Sequence, residues 1–553
     1  MSGPIAHGSD GSQRIYRPRE GPECVSGAGS GYNGGVERAQ DRRAEALEAL
    51  DGGTFDALVV GGGINGAVSA LALSSHGLRV ALVERHDFAS GTSQESSCMV
   101  WGGFKYLESR DLKLVADLCD SRNRLAKAFP TRLAETRFMA AMDHGAPFPP
   151  WFASMGAVAY WGLGRLATQP PRHRSAATIE RLEPAVDTSM VRGGIEYSDY
   201  LLVDNDARFV SEMALQSTRH GAVIANRVEV LAATHATDGW RISLRDLTGG
   251  RDLEATATMV VNAAGPYVPD VGRLTGTTTE HRLVFSKGIH LVVPQVTDSG
   301  RILAFFDDHE RLFYVLPMGE RSIIGTTDTP VDDPAVAVTD EDKVFLLEQI
   351  NARLDLARPL GREEVIAERC GVRTLVVEPG AASEGRDWTE LSRKHAVEVH
   401  RGLGVVSVLG GKLSDCLNVG EEVVDAARSC GLRPMTPPTR WYGEPGRTAR
   451  RRFTERSVGL GMDSGVAATL WRRQGMRAFE ALDLVGEERS LGEPMGDLIP
   501  LTEAEVRVMA DHEWIVEPED FLRRRTMLAQ VERDDDLAAD DAVQRALGIL
   551  GVA

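Results

Sequence analysis

The sequence predicts an α/β protein, α+β overall. Three observations carry this. An apolar strand, a glycine turn opening a helix, and a second strand follow one another between Phe55 and Glu84. The middle of the chain mixes helical stretches with strand-like runs such as "RISLRDL", "HLVVP", "RLFYVLP" and "RSIIGTT". Beyond the Pro-rich "RPMTPPTR" the composition turns to Ala, Leu, Arg and Glu with few strand signals. A chain of 553 residues exceeds one ordinary core, so two or three domains are expected.

Taken in order, residues 1–36 are rich in Gly, Ser and Pro and read as a disordered tail. Residues 37–53 read as a short helix. Val36, Ala39, Ala44, Leu47 and Leu50 give it a rough apolar face, and Gly52–Gly53 ends it. "FDALVV", "GGGINGAVSALALSSHG" and "LRVALVE" then form a βαβ unit in the correct order. Residues 54–435 form the main domain, in which nucleotide-binding and substrate-binding parts interleave, and 436–553 form a helical C-terminal domain.

Bulk properties exclude several functions. A net charge of −18 argues against nucleic acid and against simple adhesion to anionic lipid. The run Arg523–Arg525 in "FLRRRT" reads as a solvated helix face. Six scattered cysteines without a CxxC pair argue against a zinc site or disulfide framework, so no metal is expected and a cytoplasmic setting fits. No apolar run approaches the ~20 residues that span a bilayer, and no secretory leader is visible.

Gly61, Gly63 and Gly66 form G-x-G-x-x-G between a strand and a helix, and Glu84 follows Gly66 by 18 residues. The first glycine permits the tight turn, the second lets a pyrophosphate approach, and the third lets helix pack on strand. The helix start at Ile64 and Asn65 offers free N–H groups and the positive dipole end. Glu84 suits a ribose with a free 2′-hydroxyl, which both FAD and NAD possess. The following "RHDFASGTSQESS", with Thr92, Ser93 and Ser97, supplies hydroxyls and amides for a pyrophosphate.

From "FDALVV" through "SSCMVWGGFKYLE" the sequence resembles the FAD-dependent glycerol-3-phosphate dehydrogenases. "VVNAAGPYV", "SKGIHLVVP", "SIIGTTDTPV", "CGVRTL", "LSRKHAVEV", "SVLGGKLSDCLN" and "DHEWIVEPEDFLRRRT" resemble family segments in family order. The resemblance covers about residue 55 to the end. It implies an FAD-binding Rossmann-type domain, an antiparallel-sheet substrate domain and a helical C-terminal domain. It also implies oxidation of the secondary alcohol of sn-glycerol 3-phosphate to the ketone, with FAD as first acceptor. Quinone or another acceptor follows, or oxygen in an oxidase. It leaves room for a homodimer and for peripheral contact with the inner face of the membrane.

The resemblance assigns roles. His290 matches the active-site histidine, which suits proton removal at neutral pH. Arg373 and Arg393 match paired arginines for substrate phosphate, whose planar forks bind it at two points. Lys105 adds a cation. Thr327, beside Thr326 and Asp328, either orients substrate or flavin or closes a strand-end turn. Gly102, Gly103, Val228, Gly265, Gly411, Lys412 and Leu413 join the cofactor set. Ser414 or Asp415 is a candidate cap for a helix aimed at the flavin.

Two segments depart from the family pattern. Cys98 replaces a basic residue, Trp101 a histidine and Lys105 an arginine, while Cys416 and Leu417 replace Tyr and Arg. Three readings follow: Trp101 packs beside the flavin with the substrate unchanged, the pocket takes another phosphorylated polyol or a hydroxyalkyl phosphonate, or activity is lost. Arg373, Arg393 and His290 argue against loss. Cys98 reads more readily as a small buried filler than as a reactive thiol.

Overall fold

The computed structural model describes residues 34–108, 111–306, 312–379 and 394–553, with side chains from Arg42 onward. Residues 1–33, and with them most of the expected tail, lie outside the described residues, as does Arg393. The first helix runs Gly34–Leu50, three residues earlier at each end than the pattern suggests, because a turn at Gly52 (φ +71°) already closes it.

Among the described residues two sheets organise the main domain. In the first, strands Val223–Ala225, Val80–Val83, Thr54–Val60, Asp252–Asn262 and Val405–Leu409 run parallel, and Ala396–His400 closes the edge antiparallel. An antiparallel ribbon, Val228–Ala236 with Gly239–Asp246, branches from Asp252–Asn262. The central strands are buried on both faces, so they read as continuous apolar runs rather than alternating ones. Helices Ile64–Ser75 and Cys416–Ser429 pack together on this sheet. Each opens just beyond the C-terminal end of a parallel strand, so their positive ends share one edge of the sheet.

The second sheet is mostly antiparallel and is built on the Arg282–Pro294 strand. Its neighbours there are Ala367–Val377, Arg321–Gly325 and Thr329–Val331. Strand alternation splits its side chains. Ile289, Leu291 and Val293 enter an apolar core with Leu346, Leu347 and Ile350 of the Asp340–Asn351 helix. Ser286, Gly288 and His290 take the other face, and there Ser286 pairs with Arg373, Gly288 with Gly371 and His290 with Arg369.

Helices from Arg447 to Leu550 form the C-terminal domain, around two apolar cores centred on Trp471 and Phe521. Here one sequence expectation is corrected. The side chains of Arg523, Arg524 and Arg525 are 15%, 3% and 0% exposed, so this run is no solvated face. A run of charges looks solvated only while its partners are unknown, and two of these, Asp87 and Glu95, lie more than 400 residues away. The Pro150–Leu163 helix shows the opposite surprise. It contains no charged residue, and Trp151, Phe152, Met155 and Val158 stand more than half exposed. No helix among the described residues is long and apolar enough to cross a membrane.

Candidate active site

The glycine turn behaves as its spacing predicts. Gly61 has φ +106°, and a Cβ on Gly66 would lie 1.8 Å from the Gly61 carbonyl oxygen, so only glycine lets helix and strand approach. Around Gly63 the nearest group is the Ser93 hydroxyl, which also accepts the Ile64 amide at 3.0 Å. Glu84 accepts the amides of Gly62 (2.6 Å) and His86 (2.8 Å), which ties the acid to the turn. The amide of Val228 donates to the Glu84 carbonyl at 2.8 Å, so Val228 lies beside that acid.

Asn65 joins the two helix starts. Its amide nitrogen donates to the Gly410 carbonyl at 2.9 Å, while its buried Oδ1 has no partner among the described residues. Gly410 and Gly411 both have positive φ, and Gly411 passes against Asn65 on one side and His395 on the other. Asp415 holds the N-cap position of Cys416–Ser429 but makes no capping bond. It accepts from His395 Nδ1 instead, at 2.5 Å, and His395 Nε2 lies 3.1 Å from Glu422. Burial disfavours the charged imidazole, yet these two carboxylates prevail and hold its pKa up to about 9.

These features pass a test for FAD. Neither helix start is closed by a side-chain cap, and neither has an acid in its first turn. Gly265, at the end of a parallel strand, has open space where a Cβ would stand. A partnerless buried oxygen on Asn65 faces the Gly411 turn. Gly61, Gly63, Gly66, Ile64, Asn65, Glu84, Ser93, Gly265, Gly411, Lys412 and Leu413 therefore suit a dinucleotide lying along the shared edge.

His290, Ser97, Arg373 and the Thr326–Asp328 turn meet on the polar face of the second sheet. His290 Nε2 lies 2.9 Å from the Ser97 hydroxyl, and its buried Nδ1 has no partner among the described residues. Burial, then the charges of Arg369 and Arg373, push its pKa well below the usual 6.5. Arg373 donates to the Thr327 carbonyl (2.9 Å) and the Thr326 hydroxyl (2.7 Å), with Asp328 at 3.5 Å. Gly288 makes room for it, since a Cβ there would sit 2.3 Å from the guanidinium. The Thr327 hydroxyl accepts the Ile289 amide at 3.1 Å, so it serves the backbone. Thr92 does likewise, donating to the Val372 carbonyl at 2.9 Å.

The opening segment divides. Cys98 is buried with φ +56°, its Sγ 3.7 Å from Arg369, and burial lifts its thiol to about 11. Cys416 and Leu417 are likewise fully buried in the core of the first sheet. Trp101 lies beside Tyr106 (5.8 Å), and the Lys412 ammonium sits over both rings while donating to the Tyr106 hydroxyl. Gly103 (φ +84°) precedes the short turn that carries Lys105, for which no ion pair forms among the described residues. Gly102 packs where Tyr160 and Cys119 leave no space for a side chain.

Sequence reasoning missed Arg369, which is fully buried and held by Asp206 at 2.8 Å and the Gln94 carbonyl at 2.5 Å. The available signal was parity, since Arg369 and Arg373 are four apart on one strand and therefore share a face.

The paired helix starts, the glycine turn and Glu84 define the class: a protein built to hold a dinucleotide by its pyrophosphate and ribose. The model of the FAD dependent oxidoreductase family matches residues 56–414, and that of the C-terminal domain of alpha-glycerophosphate oxidase matches 440–549. A mitochondrial glycerol-3-phosphate dehydrogenase of Arabidopsis thaliana is 30% identical over 93% of this chain and 84% of its own. Glycerol-3-phosphate dehydrogenase 2 of Mycobacterium tuberculosis is 30% identical over 88% of this chain and 83% of its own. The FAD-complexed glycerol-3-phosphate dehydrogenase of Bacillus halodurans shares the fold with TM-score 0.70 at 23% identity, covering 93% of this chain and 94% of its own. The chain belongs to the FAD-dependent glycerol-3-phosphate dehydrogenase family, as a divergent member.

Proposed function

We propose that the protein oxidises the secondary alcohol of sn-glycerol 3-phosphate, or a close analogue, to the ketone. The observation that carries this is the meeting of His290, Ser97 and Arg373 on one sheet face. Relatives named glycerol-3-phosphate dehydrogenase along most of the chain support the substrate. Arg373, held flat by Thr326 and Thr327, offers a planar fork to the phosphate. Arg393, outside the described residues, is its proposed partner. His290 is neutral at physiological pH, so it has a lone pair for the hydroxyl proton. Burial is the larger cause of its low basicity, and phosphate held by Arg373 offsets the smaller one, the charges of Arg369 and Arg373. FAD, when bound, supplies the acceptor for the hydride from the carbinol carbon. Electrons then leave to a quinone or another acceptor.

The test is anaerobic mixing of flavin-loaded protein with sn-glycerol 3-phosphate. Bleaching of the flavin band is expected, with saturation lost in Arg373→Ala. No bleaching, or unchanged saturation in the variant, refutes the assignment.

A second reading concerns where the enzyme works. The exposed, uncharged face of Pro150–Leu163 lies in a stretch, 144–179, that contains no acid and includes Arg172. In a chain of net charge −18 this is the surface suited to peripheral contact with a membrane interface, with Trp151 at headgroup depth.

A further inference from the structure

We propose that the C-terminal domain forms part of the cofactor site, with Arg523, Arg524 and Arg525 as positioning residues for the segment Glu84–Ser97. The proposal rests on the assignment of FAD to the glycine turn.

The three arginines end a π-helical turn, Asp520–Arg525. Such turns are rare and mark places where local regularity yields to another demand. Asp520 anchors this one, accepting the amides of Val516 (2.9 Å) and Glu517 (3.0 Å) on one oxygen and Arg524 (2.5 Å) on the other. The consecutive guanidinium groups then reach two acids of the other domain. Arg524 Nε lies 2.7 Å from Asp87, and Arg525 grips the same carboxylate at 2.7 and 2.8 Å. Arg523 bridges both oxygens of Glu95 at 2.8 and 2.9 Å.

Asp87 and Glu95 bracket the segment that lies along the glycine turn. Near Asp87, the Ala89 amide donates to the Gly62 carbonyl at 3.0 Å, and Glu84 holds the Gly62 amide. Between the acids, Ser93 receives the Ile64 amide at the helix start. Near Glu95, the Ser96 amide donates to Asp206 at 2.7 Å, and Ser97 then meets His290. Glu95 also accepts the Cys370 amide at 3.2 Å and fills the space above Gly371, where a Cβ would sit 2.9 Å from its own. The arginines thus fix both ends of the segment that presents Ser93 to the turn and Ser97 to the histidine. Removing Arg523 takes from the buried Glu95 its nearest cation and leaves Arg369, 3.9 Å away, and the Cys370 amide, so the Glu95 end of the segment shifts.

Arg523 is the residue to test, because it is the most exposed of the three and Glu95 stands two residues from Ser97. In Arg523→Ala, FAD affinity, read by titrating apoprotein with FAD, is expected to fall at least about tenfold. The absorption maxima of the bound flavin are expected to move, and Arg523→Lys restores part of both. Arg456→Ala, which removes an exposed pair with Asp483 in the same domain, leaves both unchanged. The proposal is overturned if Arg523→Ala binds FAD with wild-type affinity and spectrum. It is also overturned if the variant only melts earlier while its bound flavin is spectrally native. FAD titration needs no alcohol, so failure here is distinct from failure of the substrate assignment. Wild-type protein that binds no FAD overturns both.

Discussion

The Ser97 hydroxyl and His290 Nε2 stand 2.9 Å apart, although 193 residues separate them in the chain. The hydroxyl can donate or accept, so it holds either imidazole tautomer and leaves Nδ1 as the nitrogen without a partner among the described residues. Ser97→Ala should therefore lower kcat by roughly tenfold and displace the pH profile of kcat/KM, with KM little changed. His290→Asn should cost on the order of a hundredfold in kcat. Superimposable pH profiles for Ser97→Ala and wild type would contradict this role.

Gly288→Ala tests the seat of Arg373. The new methyl group would sit 2.3 Å from the guanidinium, which is a flexible end able to swing aside. Stability should change by less than about 1 kcal/mol, as for a substitution relieved by side-chain movement. KM should rise about tenfold or more, because the fork leaves Thr326 and Thr327. A folded variant with wild-type KM places the phosphate elsewhere.

His395 predicts a pH dependence of stability. Its folded pKa, about 9, exceeds the usual 6.5 because Asp415 and Glu422 outweigh burial. The folded state then binds more protons than the unfolded state between those values. The contribution is complete below about pH 6.5 and is lost as pH rises through about 9. At 1.36 kcal/mol per unit it amounts to about 3 kcal/mol. Urea unfolding at pH 6, 7.5 and 9 should show wild-type stability declining across this window. In His395→Gln the decline should be shallower; equal slopes would refute the account.

The apolar helix predicts lipid binding. Wild-type protein should float with vesicles of phosphatidylglycerol and phosphatidylcholine. Trp151→Ser/Phe152→Ser should remain in the aqueous fraction while keeping wild-type turnover with a soluble dye. A variant that still floats, or a wild type that never does, removes this surface from consideration. A change in solution mass in the variant would identify the face as a contact between copies.

Much of this architecture was legible locally. The glycine spacing, the strand-helix-strand order and Glu84 all lie within 30 residues, where one helix end and one turn decide the outcome. The polar strand face was half legible: His290 and Arg373 stood out, while Arg369 did not, because its partner Asp206 comes from a distant helix. Cys98 read as a small buried filler and is one, whereas Cys416 and Leu417 fell in a segment expected to touch flavin or substrate. All three are buried, so their size answers to packing, and of the departures singled out only Trp101 and Lys105 keep partial exposure. "FLRRRT" misled for the same reason as Arg369, since composition records charge but not the carboxylates that neutralise it.

The grip of Arg523 on Glu95 spans 428 residues, and that separation has a temporal side. At ordinary rates of translation the glycine turn leaves the ribosome on the order of a minute before its clamp exists. Until the last helices dock, Asp87 and Glu95 have only their partners in the main domain, Asn226 for one and the Cys370 amide and Arg369 for the other. On the proposed role of the clamp, flavin loading is a late event in biogenesis, and proteolytic loss of the C-terminal helices should release the cofactor before it unfolds the sheets.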